Sequence, residues 1–220
     1  MTVRPADDEL ILAELLCARL VHDLSGPVGA VANGAELLGE SIEDGAAGAM
    51  AGEAIALLTD SAAAAVARLR FLRIALGAPG AAPTPLAEAR RLAADYFTKG
   101  VAGPEAMLLD WPTALDAPLA QMPARLLLNL LMLARDCLPR GGAIRLSGPA
   151  GGAVLAVMAE HAQAAPGEAA KAVGATSVEG LTVRGVQGYL AARLAGQAGM
   201  RIAVTTAPGR VAIALAQDRG

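Results

Sequence analysis

Apolar positions recur every three or four residues from Asp8 to about Gly39: Leu16, Leu20, Leu24, Pro27, Val31, Ala35 and Leu38. That period predicts one long amphipathic helix with a single apolar stripe. At 1.5 Å per residue it is on the order of 45 Å long. Asp7 or Asp8 suits its N-terminus. A break is predicted at Gly39 to Gly48, and a second helix from about Ala49 to Leu76, with Ile55, Leu58, Ala62, Ala65, Leu69, Leu72 and Leu76 as its stripe. Arg68, Arg70 and Arg73 crowd its last turns, where cations meet the negative end of the helix dipole. They read either as a solvated face or as a docking surface. A lone helical hairpin leaves apolar surface in water, and pairing two copies buries it. Residues 8–77 therefore predict a homodimer built on a four-helix bundle.

The pattern changes after Gly77. Gly77 to Pro85 is rich in glycine and proline and marks a boundary: a hairpin at 1–78, a linker at 79–84 and a second domain at 85–220. Thr84 is placed to cap a helix from Pro85 to Phe97. Ala106 to Trp111 reads as a strand, and Pro123 to Leu138 as a strongly apolar helix. Ala143 to Ser147 and Val154 to Glu160 read as strands, Gly167 to Ala175 as a short helix or loop, and Val186 to Gln197 as a helix. Arg201 to Thr206 and Val211 to Ala216 form a closing hairpin. This order predicts an α+β fold: a long helical hairpin followed by an α/β two-layer sandwich.

Composition narrows the function classes. Hydrophobic residues make up 55% of the 220 and aromatics 2%, which favours helices packed through small side chains. A net charge of -3 offers no basic footprint for nucleic acid. Cys17 and Cys137 are isolated, without metal or redox spacing. No uncharged apolar run reaches the roughly 18 residues of a membrane span. Asp7, Asp8, Glu9 and Glu14 make the N-terminus a poor signal peptide. A cytoplasmic protein without membrane insertion is expected.

Candidate chemistry concentrates between Leu16 and Val31. His22 and Asp23 lie side by side, with Pro27 five positions after the histidine. Pro27 either kinks the helix or, with Gly26, ends one helix and starts another. At 100° per residue, Ala18, Gly26, Gly29 and Asn33 share the side of His22, with Arg19 and Ser25 at its flanks. Leu20, Leu24, Pro27 and Val31 point away. The histidine is thus expected to face solvent on a strip of small residues, open to a bulky partner. Asp23 either orients the imidazole, takes its proton, or is a solvated acid. His161 reads as a turn residue, and Trp111 as packing.

The order of these pieces resembles the transmitter of bacterial sensor histidine kinases. His22-Asp23-Leu24 with Pro27-Val28 is similar to the phosphoacceptor box. Leu127 to Leu131, leading to Pro139-Arg140-Gly141-Gly142, is similar to the asparagine-box region. Gly185 to Leu190, ending at Gly199-Met200, is similar to the last glycine box. Two departures bear on activity. Leu133 stands where that superfamily carries its magnesium-ligating asparagine, and Ala159 to Ala165 lacks the Asp-x-Gly-x-Gly loop that reads adenine.

A kinase-like dimer with an intact histidine and an eroded ATP domain resembles the alphaproteobacterial histidine phosphotransferases of the ChpT type. That resemblance implies a phosphorelay carrier with His22 as phosphoacceptor and Asp23 as an orienting or acid-base group. It implies that the carrier shuttles phosphate between the receiver domains of a hybrid kinase and of response regulators. Arg19, Ser25, Gly26, Gly29, Asn33, Arg70 and Arg73 are the expected docking residues. The chain itself is expected to hold no cofactor or metal, the magnesium ion residing on the partner receiver. Two other readings stay open: a divergent ATP-dependent histidine kinase, and a non-catalytic dimer scaffold that binds receivers.

Overall fold

The computed structural model describes residues 5–43, 49–77, 83–99 and 106–218. Helix α1 spans Pro5–Glu43 and α2 spans Ala49–Ala75. α1 runs unbroken through Gly26 and Pro27, so the reading that ends one helix there is set aside. The break expected from Gly39 begins later, because α1 continues to Glu43; residues 44–48 lie outside the described residues. Pro27 and Gly34 are buried on α1. A Cβ at Gly34 would stand 3.1 Å from the Leu58 backbone, so glycine lets the two helix backbones approach closely there.

The seam between α1 and α2 differs from the expected stripe on α2. Ala54, Ser61, Ala64 and Ala67 are buried, whereas Ile55 and Leu69 are exposed. Small side chains take the close contact and turn the larger ones outward. A second apolar track results on each helix, at alternating three- and four-residue spacing. On α1 it runs Val21, Leu24, Val28, Val31, Ala35, Leu38 and Ile42, all exposed or half-exposed. On α2 it includes Ile55, Ala62, Val66 and Leu69.

The second unit is a mixed α+β layer pair. Its sheet has the order β1-β2-β3-β5-β4. Its strands are β1 (Met107–Asp110), β2 (Gly142–Ser147), β3 (Ala153–Glu160), β4 (Met200–Ala207) and β5 (Arg210–Gln217). β1 pairs with β2 in parallel, and the other pairs are antiparallel. Alternate residues such as Ile144, Leu155, Val157, Ile213 and Leu215 are fully buried on one face. Helices α3 (Leu86–Thr98), α4 (Ala124–Asp136) and α6 (Val186–Gln197) cover that face, and the short α5 (Glu168–Lys171) packs on α4 and α6. The alternation and apolar runs placed these elements to within a few residues. Thr84 does not cap α3: Pro85 takes the N-cap position without a side-chain cap, its carbonyl accepting from the Ala89 N–H at 3.0 Å. A three-residue 3-10 turn at Thr113–Leu115 carries no periodic signal and was not expected.

The hairpin and the sandwich share one buried core. Phe71 near the end of α2 stacks on Tyr96 of α3 with ring centroids 4.0 Å apart, and meets Phe97 edge-on. The last carbonyls of α2 have no intrahelical donors and need partners. Asn129 Nδ2 donates to the Ala75 carbonyl at 2.8 Å, and Arg125 donates to the carbonyls of Ala75 and Leu76 at 3.3 Å each. Gln187 Nε2 in turn donates to Asn129 Oδ1. Both amides are fully buried. The expected linker falls largely in 78–82, outside the described residues.

Asn129→Ala would strand the buried Gln187 amide, at about 1–3 kcal/mol, and take one of the two donors from the Ala75 carbonyl, a lost hydrogen bond of about 1 kcal/mol. The expected result is a lower urea midpoint at unchanged slope, corresponding to a loss of about 2–4 kcal/mol. A midpoint within error of the parent would show that this clamp is not what joins the units.

Candidate functional site

His22 sits in α1 with its side chain 55% exposed, and its Nδ1 lies 3.0 Å from Asp23 Oδ1. The other carboxylate oxygen, Oδ2, accepts from Arg19 Nε at 2.9 Å. Arg19 and Asp23 are i and i+4 on one helix face, so their side chains meet. That face turns inward: the Arg19 and Asp23 side chains are only 5% and 6% exposed. Asp23 is therefore no solvated acid. Arg19, expected among the docking residues, is buried beside it and supplies its counter-charge. An ionised carboxylate only accepts hydrogen bonds. With Asp23 ionised, the tautomer that satisfies this contact carries its proton on Nδ1 and keeps the lone pair on Nε2.

The strip around the imidazole is open. Ser25, Gly26, Gly29 and Asn33 are all exposed. Ser25 Oγ donates to the Val21 carbonyl at 2.7 Å, which ties the hydroxyl to its own helix. A Cβ at Gly26 or Gly29 would meet nothing within 4 Å. No neighbour among the described residues explains these glycines. Arg70 and Arg73 are exposed on α2.

The other side of His22 opens on a cavity of about 440 Å³ between α1, α2 and the sandwich. Arg68 of α2 lines it rather than Arg70 or Arg73, together with Arg135 and Asp136 at the end of α4 and Arg184 just before α6. Arg135 Nη1 donates to the Tyr96 hydroxyl at 2.8 Å and its guanidinium lies 5.4 Å from the ring centroid. Burial pushes the Tyr96 phenol up. Burial and the like charge of Arg135 draw the Arg68 guanidinium down. Sequence reasoning missed Arg135 and Arg184, because only the tertiary fold brings them to the cavity beside His22.

The positions compared with a kinase nucleotide site are otherwise occupied. Leu133 is fully buried in the α4 core, and Asn129 is committed to the α2 clamp. His161 Nδ1 accepts from the Gln163 N–H at 3.1 Å, as a turn residue does. Trp111 is buried as packing. No helix among the described residues is long and apolar enough to cross a membrane.

Known proteins resemble this chain over most of its length. Residues 86–210 match the family model of the histidine phosphotransferase C-terminal domain. The chain is 36% identical over 201 residues to the protein phosphotransferase ChpT of Brucella abortus (strain 2308), covering 89% of this chain and 90% of that one. It also superposes on a solved bacterial phosphotransferase with a TM-score of 0.67 and 28% identity, over 98% of each chain.

Removing one partner of a buried ion pair costs about 3–5 kcal/mol. Asp23→Ala is thus expected to lower stability by about that amount in denaturant melts, by leaving Arg19 uncompensated. Gly26→Ala and Gly29→Ala should instead stabilise the free protein by roughly 0.5–1 kcal/mol each, since Gly is costly inside a helix. Gly34→Ala, which must push Leu58 away, should destabilise it by about 1–3 kcal/mol. Equal effects at Gly29 and Gly34 would contradict the assignment of one to open solvent and the other to the helix seam.

Proposed function

We propose, from the premise that this chain belongs to the histidine phosphotransferase family, that His22 is its phosphoryl carrier between receiver-domain aspartates of a phosphorelay. The observation that carries this assignment is the exposed imidazole whose Nδ1 is held by a buried, arginine-paired carboxylate. Its Nε2 lone pair is free to attack the phosphorus of an aspartyl phosphate in line. The N–P bond forms as the P–O bond to the aspartate breaks, and the carboxylate leaves with the electron pair. Asp23 stabilises the positive charge that develops on the ring, and the Nδ1 proton stays in place. The reverse step hands the phosphoryl group to a second receiver. Catalysis of this kind rests on positioning and charge neutralisation. The receiver is the expected source of magnesium.

In this reading the strip of Ser25, Gly26, Gly29 and Asn33 is where the receiver sits, with Arg70 and Arg73 as further contacts from α2. The sandwich acts as a kinase-like unit that no longer uses ATP; the buried Leu133 and the committed Asn129 support this. The exposed tracks on α1 and α2 have the 3-4 spacing of a helix-packing seam. That spacing supports a homodimer in which two hairpins form a four-helix bundle in the cytoplasm.

The test of transfer mixes the protein with a phosphorylated receiver and follows acid-labile label. Label should appear on the parent and be absent from His22→Ala. Self-labelling from ATP and magnesium alone would instead make the protein a kinase, and full relay function in His22→Ala would make it a scaffold. Gly29→Leu should keep the fold while slowing transfer by at least about tenfold, the equivalent of roughly 1.4 kcal/mol of lost contact. Val28→Glu with Val66→Glu should convert a dimer to a monomer in sedimentation velocity; a parent that already sediments as a monomer removes the bundle.

A further inference from the structure

The cavity beside His22 has a charge that the α1 site alone does not explain. Four guanidinium groups line it, Arg19, Arg68, Arg135 and Arg184, against two carboxylates, Asp23 and Asp136. The carboxylates are already engaged: Asp23 by Arg19 and His22, and Asp136 Oδ2 by the Ala169 N–H at 3.0 Å. The wall thus carries a net charge of +2 in a chain whose net charge is -3. Like charges gathered in a half-closed cleft repel one another and concentrate positive potential. Arg19 Nη1 is buried in that wall without a hydrogen-bond partner. Buried guanidinium donors are costly unless something accepts from them.

We infer that this cavity is an anion site, shaped by both units of the chain, that receives the phosphoryl group once it is on His22. The inference rests on the phosphocarrier reading of His22. A phosphoryl group carries about -1.5 to -2 charges at neutral pH, which matches the excess on the wall. Planar guanidinium groups suit its oxygens. Arg68, Arg184 and the unpartnered Nη1 of Arg19 are the groups that touch it. Arg135, bonded to Tyr96, holds the wall in shape. The sandwich then contributes directly to the phosphohistidine site in place of a nucleotide site. The clamp of Asn129 on α2 keeps Arg68 in register with Arg135 and Arg184.

The first test needs no phosphotransfer. Inorganic phosphate is titrated into the unphosphorylated full-length protein by calorimetry, at fixed ionic strength. A single saturable site is expected, weakened about tenfold or more in Arg68→Ala and in Arg184→Ala. Arg68→Lys should recover part of the loss, and far-ultraviolet dichroism should show all three variants folded. No saturable binding, or binding unchanged in both alanine variants, overturns the site.

The second test loads His22 chemically with phosphoramidate, which transfers its phosphoryl group and releases ammonia. Phosphorus NMR then follows the titration of the phosphohistidine. The surrounding cations favour the dianion, so its second ionisation should fall at lower pH in the parent than in Arg68→Ala. Coincident titration curves contradict the inference. A protein that binds phosphate as described yet takes no label from a phosphorylated receiver would retain the anion site while losing the carrier reading. Label on His22 without phosphate binding would do the reverse.

Discussion

The carboxylate of Asp23, held between Arg19 and His22, is the interaction on which the site depends. A carboxylate this deeply buried is stable as an ion only beside a cation and hydrogen-bond donors. Arg19 supplies both one turn earlier on the same helix, at 2.9 Å. The reward is directional: one carboxylate oxygen is fixed by the arginine, so the other can fix the imidazole. The histidine is thereby exposed without being free to turn. The inward face of α1 buries this pair at the cavity lined by Arg68, Tyr96 and Arg135.

A second constraint fixes where the cavity lies. Side chains of α4 and α6 meet the end of α2 through Asn129, Arg125 and Gln187, and Phe71 stacks into the sandwich on Tyr96. Arg68 lies one turn before that anchor. Arg68 and Arg135 thus line one cavity across that junction. Asn129, in the stretch compared with the kinase asparagine box, serves as a structural clamp.

The parts legible in the sequence are those whose signal is local. His22-Asp23 and the small strip after it follow from spacing in one helix, and the strands follow from alternation that the buried face reproduces. What could not be read depends on which neighbour a face meets. The wheel put Arg19 at the flank of His22, but only the packing of α1 on α2 makes that flank interior. The arginines of α2 form one run in sequence, yet helical phase sends Arg68 to the cavity and leaves Arg70 and Arg73 on the surface. Ile55 and Leu69 looked like core because they are large, whereas close approach at the seam selects alanine. Arg135 and Arg184 carry no local pattern at all.

The transfer chemistry turns on which ring nitrogen of His22 is free. The direct measurement is nitrogen and phosphorus NMR of the protein labelled with 15N-histidine and loaded with phosphate. A proton on Nδ1 in both states and one-bond phosphorus coupling at Nε2 of His22 are expected. Coupling at Nδ1, or phosphate on any other residue, would contradict it.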